Sequence, residues 1–175
     1  MRPAHIALLA AALALPLATQ AQQAPPAEMH HAPATPSTTL TITGLGGKVL
    51  KFSVADVQNM QHTTVTIHNP HTKLDETYSG VLLSEFLTRA DVPLGEKTKG
   101  KLLLATLIAE GTDHYRVVYS LTEVDPANHT GDVLIADKMN DAPLTSDGAF
   151  KLICTQDKRP ARWVRNLSSI TLKAE

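Results

Sequence analysis

Thr77-Tyr-Ser-Gly-Val-Leu-Leu-Ser-Glu-Phe-Leu-Thr-Arg-Ala-Asp-Val-Pro93 is a strand running into a helix. Thr77 and Tyr78 close a β-rich run. Ser79 is placed to cap the helix by accepting a hydrogen bond from an unpaired N–H of the first turn. Leu82, Leu83, Phe86, Leu87 and Ala90 then recur at helical spacing. Glu85 stands early and Arg89 late, as the helix dipole favours. Pro93 has no N–H to donate and stops the helix. A stripe of this kind must be covered, so the flanking strands are expected to form a sheet against it.

Working outward, the upstream flank reads as strands and one short helix. Leu40 and Ile42 alternate with threonines, Gly44 to Gly47 turns, and Lys48 to Phe52 returns. Ser53-Val-Ala-Asp56 has the form of a capping box, followed by Val57 and Met60 on an inner face. Thr63 to Ile67 is a β-branched strand, Asn69-Pro-His71 a turn, and Lys73 to Tyr78 the return.

Downstream, Lys101 to Ala109 is a continuous apolar run, expected as a strand covered on both faces in the middle of the sheet. His114 to Tyr119 pairs back. Ser120-Leu-Thr-Glu123 is a second capping box, and Asp125-Pro126 ends its helix after about one turn. Val133 to Ala136 is another buried strand and Asn140 to Pro143 a turn. Phe150 to Cys154 is a late strand, Gln156 to Ala161 a basic loop, and Ser168 to Lys173 the last strand. The expected fold class is α+β, a mostly β mixed sheet with two or three short helices.

Residues 1–21 read as a secretory signal: Arg2, an apolar stretch from Ile6 to Ala18, and a small residue at Ala21. That stretch is short for a bilayer span, so no stable membrane span is expected after cleavage. The Ala-rich signal points to a bacterial periplasm. Residues 22–38, rich in Pro, Ala and Gln, are expected as a disordered tether, with the folded domain at 39–175.

The 175-residue chain carries a formal net charge of −1 and 4% aromatic residues, which removes the polycation and base-stacking arguments for nucleic acid. Its one cysteine allows no intrachain disulfide. Cys154 sits in a strand among apolar neighbours, where burial raises a thiol's pKa and leaves it inert. His62, His68 and His71, with Asp75 or Glu76, are the best local candidates for a metal. The set lacks a Cys or an H-x-x-x-H pattern, so solvated imidazoles on a hairpin are the expected reading. Met29-His30-His31 in the tether is at most a weak metal site, and a solvated linker is the preferred reading. No G-x-S-x-G, glycine-rich phosphate loop or acid/base carboxylate pair is present, so no catalytic residue is assigned. The basic stretch with Lys151, Lys158, Arg159, Arg162 and Arg165 around Trp163 suits a phosphate or carboxylate.

Tyr78-Ser-Gly-Val-Leu-Leu, Asp113-His-Tyr115 and Ser120-Leu-Thr-Glu-Val-Asp125 resemble the sulfite-oxidase-like molybdopterin-binding domain. So do Val133-Leu-Ile-Ala136, Asp141-Ala-Pro-Leu144, Gly148-Ala-Phe-Lys-Leu152 and Arg162-Trp-Val-Arg-Asn-Leu167, in order over about Leu40 to Leu172. The resemblance implies a mixed α+β fold around a pterin pocket, with molybdopterin or a related pterin as cofactor. It places cofactor-holding cations on Lys151 and Arg165, and Arg162 of the basic stretch joins them in the expected binding set. The family's metal-binding cysteine has no counterpart between His62 and Glu76, so molybdenum is not expected. Asp147 stands near the family's histidine, a carboxylate where a phosphate would be repelled. The expected function is an exported homologue that binds a small pterin-like anion without oxotransfer. The alternatives are a periplasmic interaction or structural module, and a molybdenum-dependent oxidoreductase with an unusual ligand such as His68.

Overall fold

The computed structural model describes residues 35–70 and 72–174. The signal segment, most of the tether with Met29-His30-His31, and His71 lie outside them. No helix among the described residues is long and apolar enough to cross a membrane.

One sheet is built from β1 (Thr39–Thr43), β2 (Val49–Ser53), β5 (Thr106–Gly111), β6 (Arg116–Ser120) and β10 (Leu167–Lys173), in the order β2-β1-β10-β5-β6. β1 and β10 run parallel and the other pairs antiparallel, so the sheet is mixed. The second sheet takes β3 (Thr63–Asn69), β4 (Leu74–Leu82), β7 (Val133–Met139) and β8 (Ala142–Pro143), with β9 (Lys151–Cys154) also on β7. Its pairs are all antiparallel. Leu40, Ile42, Leu107, Ile170, Val81, Leu134, Ile135 and Leu152 bury one continuous core with the helices.

Both capping boxes form. Ser53 Oγ accepts from Asp56 N at 3.2 Å and Asp56 Oδ2 from Ser53 N at 2.8 Å, opening α1 (Val54–Gln58). Ser120 Oγ accepts from Glu123 N at 3.2 Å and Glu123 Oε2 from Ser120 N at 2.7 Å, opening α3 (Leu121–Val124). Each satisfies two otherwise orphaned N–H groups, which lets helices this short persist against the sheets.

The helix expected from the opening stretch is α2 (Leu83–Arg89), and Leu83, Phe86, Leu87 and Ala90 are its buried stripe. Phe86 meets Phe52 edge to face at 5.0 Å. Its two ends differ from the expectation. Ser79 does not cap it, because β4 continues to Leu82 and its backbone is paired with β3 and β7 on both sides. Nor does Pro93 end it. Asp91, two residues before the proline, turns left-handed at φ 58°, and Val92 N donates back to Leu87 O at 2.9 Å.

The run Lys101 to Ala109 also differs. Gly100–Leu104 is a 3₁₀ segment that exposes Leu103 and Leu104, and only Thr106 onward is a strand, buried on alternate residues. The strand buried on both faces is β7, with Val133 to Asp137 all buried. β4 crosses it so closely that a Cβ on Gly80 would lie 2.2 Å from Ile135 O. The packed chain begins before Thr39: Ser37, placed in the tether by composition, is buried.

Candidate functional site

An antiparallel bridge between Leu152 and Val164 joins β9 to the loop that precedes β10. Leu152 N donates to Val164 O at 2.9 Å and Val164 N to Leu152 O at 3.1 Å. One step along that bridge in opposite directions brings Lys151 level with Arg165 and Ile153 level with Trp163. Val164 points into the core, fully buried, and anchors the pair.

Lys151, Arg165, Trp163, Pro160 and Asn69 line a cavity of about 470 Å³. Pro160, Trp163 and Arg165 also border a second cleft of about 200 Å³, completed by Asp113 and Tyr115. Those three residues are therefore the shared wall of a two-lobed groove. Trp163 Nε1 donates to Cys154 O at 3.2 Å, fixing the indole in the wall.

Lys151 is 8% exposed. Its Nζ donates to Asp147 Oδ2 at 2.8 Å and to Tyr78 Oη at 3.1 Å. It also lies over the rings of Tyr78 and Trp163, at 4.9 and 5.5 Å from the centroids. Tyr78 Oη donates onward to Glu76 Oε2 at 2.6 Å, and Asn69 Nδ2 donates to Glu76 Oε1 at 2.7 Å. Burial, with the Glu76 carboxylate behind it, pushes the Tyr78 phenol well above its ordinary pKa. Tyr78 thus stays neutral and passes a hydrogen-bond chain from the β3–β4 hairpin to the cleft. Arg165 differs: its side chain is 69% exposed and its Nε lies 3.9 Å from Asp147 Oδ1.

The structure brings together Lys151 and Arg165 but not Arg162. The Arg162 guanidinium binds Asp157 through both Nε (3.1 Å) and Nη2 (2.5 Å), reaches Glu123 Oε1 at 3.0 Å, and stacks 4.5 Å over Tyr119. It is absent from the lining of both clefts. Asn69 and Pro160 are site residues that the sequence did not single out; Tyr78 reads there only as the end of a strand, and Asp147 only as a carboxylate that would repel a phosphate. The spacing of Asp147 to Lys151 suggests a helical ion pair, but the segment between them is a loop, so the pattern carried no signal.

The remaining histidine candidates separate. His62 Nδ1 lies 2.8 Å from Met60 O and its Nε2 3.1 Å from both oxygens of buried Asp137. His68 pairs with Asp75 at 2.9 Å on the exposed hairpin. Among the described residues no three His, Cys, Asp or Glu side chains converge as metal ligands. Cys154 is buried outside both cleft linings, and burial raises its thiol pKa.

The sequence model of the oxidoreductase molybdopterin binding domain matches residues 28–175. No protein of curated function matches the chain in sequence. Among solved structures, the crystal structure of the sulfane dehydrogenase SoxCD from Paracoccus pantotrophus is similar, with a TM-score of 0.57 and 23% identity. That likeness covers 78% of this chain and 38% of the other, so this chain spans well under half the length of its structural neighbour. The neighbour's fold is the mixed α+β architecture described above. For the cofactor class of this family, the cleft fits one end only. Lys151 and Arg165 suit an anionic group, and Trp163 with Pro160 offers an apolar wall. No cleft residue supplies the thiolate that a soft metal centre takes.

Proposed function

We propose that this chain, which belongs to the oxidoreductase molybdopterin binding domain family, holds a pterin-like anion in the Lys151–Arg165 cleft and performs no oxotransfer. The observation that carries the reading is the bridge at Leu152 and Val164, which sets Lys151, in the floor of one cavity, level with Arg165 at its exposed mouth. A guanidinium at a cleft mouth captures an acidic group with two parallel N–H donors, while Trp163 and Pro160 cover the ring. Tyr78 and Lys151 hold the floor rigid. The donor set lacks a thiolate, so the organic part of the cofactor is the part these residues hold. When bound, a pterin of this kind supplies electron-transfer chemistry in family enzymes; here its role is that of a held ligand.

The N-terminal sequence supports export to a periplasm, and cell fractionation with N-terminal sequencing of the mature chain tests it. Cleavage after Ala21 is expected, and an unprocessed cytosolic chain refutes it. Ligand binding is tested by thermal denaturation with a pterin monophosphate. A saturable rise in melting temperature is expected, because a ligand of the folded state stabilises it. Arg165→Ala should remove the rise, and a rise that survives the substitution rejects the cleft. Stoichiometric molybdenum in protein from a cofactor-competent host would overturn the non-catalytic reading.

A further inference from the structure

We propose that Asp147 is a built-in counter-ion that tunes the cleft to a ligand group carrying one negative charge rather than two. The proposal rests on the cleft being the ligand site and adds the charge class of what it takes.

Lys151, Arg165 and Asp147 meet in the cleft, with the Glu76 carboxylate behind Tyr78 and Asp113 in the adjoining lobe. Asp147 Oδ2 takes the Lys151 ammonium at 2.8 Å, while Oδ1 stands 3.9 Å from Arg165 Nε. Its side chain is 14% exposed and that of Lys151 10%, so this pair is largely out of water. Burying an ammonium is costly unless it is paired, and Asp147 is the partner. The charge of Lys151 is therefore consumed inside the protein, and Arg165, largely exposed, is the cation turned toward a ligand. A monoanion neutralises that charge. A dianion brings a second negative charge close to Asp147, and at short range in a half-buried cleft that repulsion is large.

The Asp147 carboxylate is held by the Lys151 ammonium, and its backbone by the loop that carries it. Asn166 N donates to its carbonyl at 2.5 Å. The next residue, Gly148, is left-handed at φ 75°, and a Cβ there would fall 2.3 Å from Asn166 Oδ1 and 2.7 Å from Ser37 Oγ. Ala149 N then donates to Ser37 O at 3.0 Å. The backbone at Asp147 and just after it is pinned, and the Lys151 ion pair holds the carboxylate itself, which is what a fixed charge filter needs.

The test compares a pterin phosphomonoester, a dianion at pH 7.5, with its methyl phosphodiester, a monoanion, by titration calorimetry on the full chain. The wild type is expected to bind the diester several-fold more tightly. Asp147→Asn, which keeps the side chain's size and removes its charge, is expected to reverse the order and to gain about tenfold for the monoester. A wild type that prefers the monoester overturns the proposal, whether or not Asp147→Asn folds. So does an Asp147→Asn protein whose preference is unchanged. Either result, with binding intact and lost in Arg165→Ala, leaves the cleft assignment standing. Binding of neither ester overturns both.

Discussion

Arg162 and Arg165 stand three residues apart on one loop and live in opposite surroundings. Arg162 is held by Asp157 from its own loop and by Glu123 from α3, and it lies flat on Tyr119, whose hydroxyl donates back to the Arg162 carbonyl at 2.7 Å. Among the described residues Arg165 has one ion pair, with Asp147 at 3.9 Å, and most of its side chain is in water. The first arginine has its directional donors committed to holding a loop against a helix. The second keeps its donors turned to a cavity. A basic cluster in sequence thus divides into a brace and an exposed cation at a cavity, and partner geometry makes the division.

The comparison can be broken in steps. The largest effect belongs to the buried cation beneath Arg165. Lys151→Met leaves Asp147 without its counter-ion and Tyr78 without its donor, and should cost about 3 kcal/mol in urea denaturation; a loss under about 1 kcal/mol would mean the pair is solvated. Arg162→Ala should cost roughly 1–2 kcal/mol, discounted because its side chain is 36% exposed, while ester binding at the cleft stays unchanged. Lost binding in that variant would erase the distinction between the two arginines.

A smaller effect appears in acid. Burial alone would raise the Glu123 carboxyl, but hydrogen bonds from Ser120 and Arg162 outweigh it and hold the group below its ordinary 4.5. A depressed carboxylate contributes stability that is complete above its unfolded pKa and lost as pH falls through its folded one. The stability gap between wild type and Arg162→Ala should therefore narrow as pH drops below 4.5, and a gap that widens there contradicts the pairing. The smallest effect is on stability in Arg165→Ala, expected within about 0.5 kcal/mol of wild type, although the same change should abolish binding.

The elements were legible where local chemistry decides them. Ser53 with Asp56, and Ser120 with Glu123, needed only a hydroxyl and a carboxylate three residues apart. The apolar stripe of α2 needed only its spacing. Boundaries set by tertiary pairing were not legible: Ser79 is a good cap, yet the ladders on both sides of β4 held it in the strand. The run from Lys101 looked like a buried strand because hydrophobicity alone cannot say which apolar residues stay outside; Leu104 is 69% exposed. At the site, residue type pointed to Lys151 and Arg165 through the family resemblance. Asp147 could be read only as a misfit, since the bridge that makes it a partner to both cations joins residues 152 and 164.

Ser37 gives the N-terminal side of the domain a mechanical role. Its carbonyl holds Ala149, its N–H reaches Asn166 Oδ1 at 3.4 Å, and Thr112 Oγ1 grips the Thr35 carbonyl just upstream. The N-terminal end of the described residues is thus bolted to the same loop that positions the cleft's carboxylate. A recombinant version started at Thr39 would discard that bolt, and a tag or tethered cargo fused there would tug on the rim of the cleft rather than on an idle end.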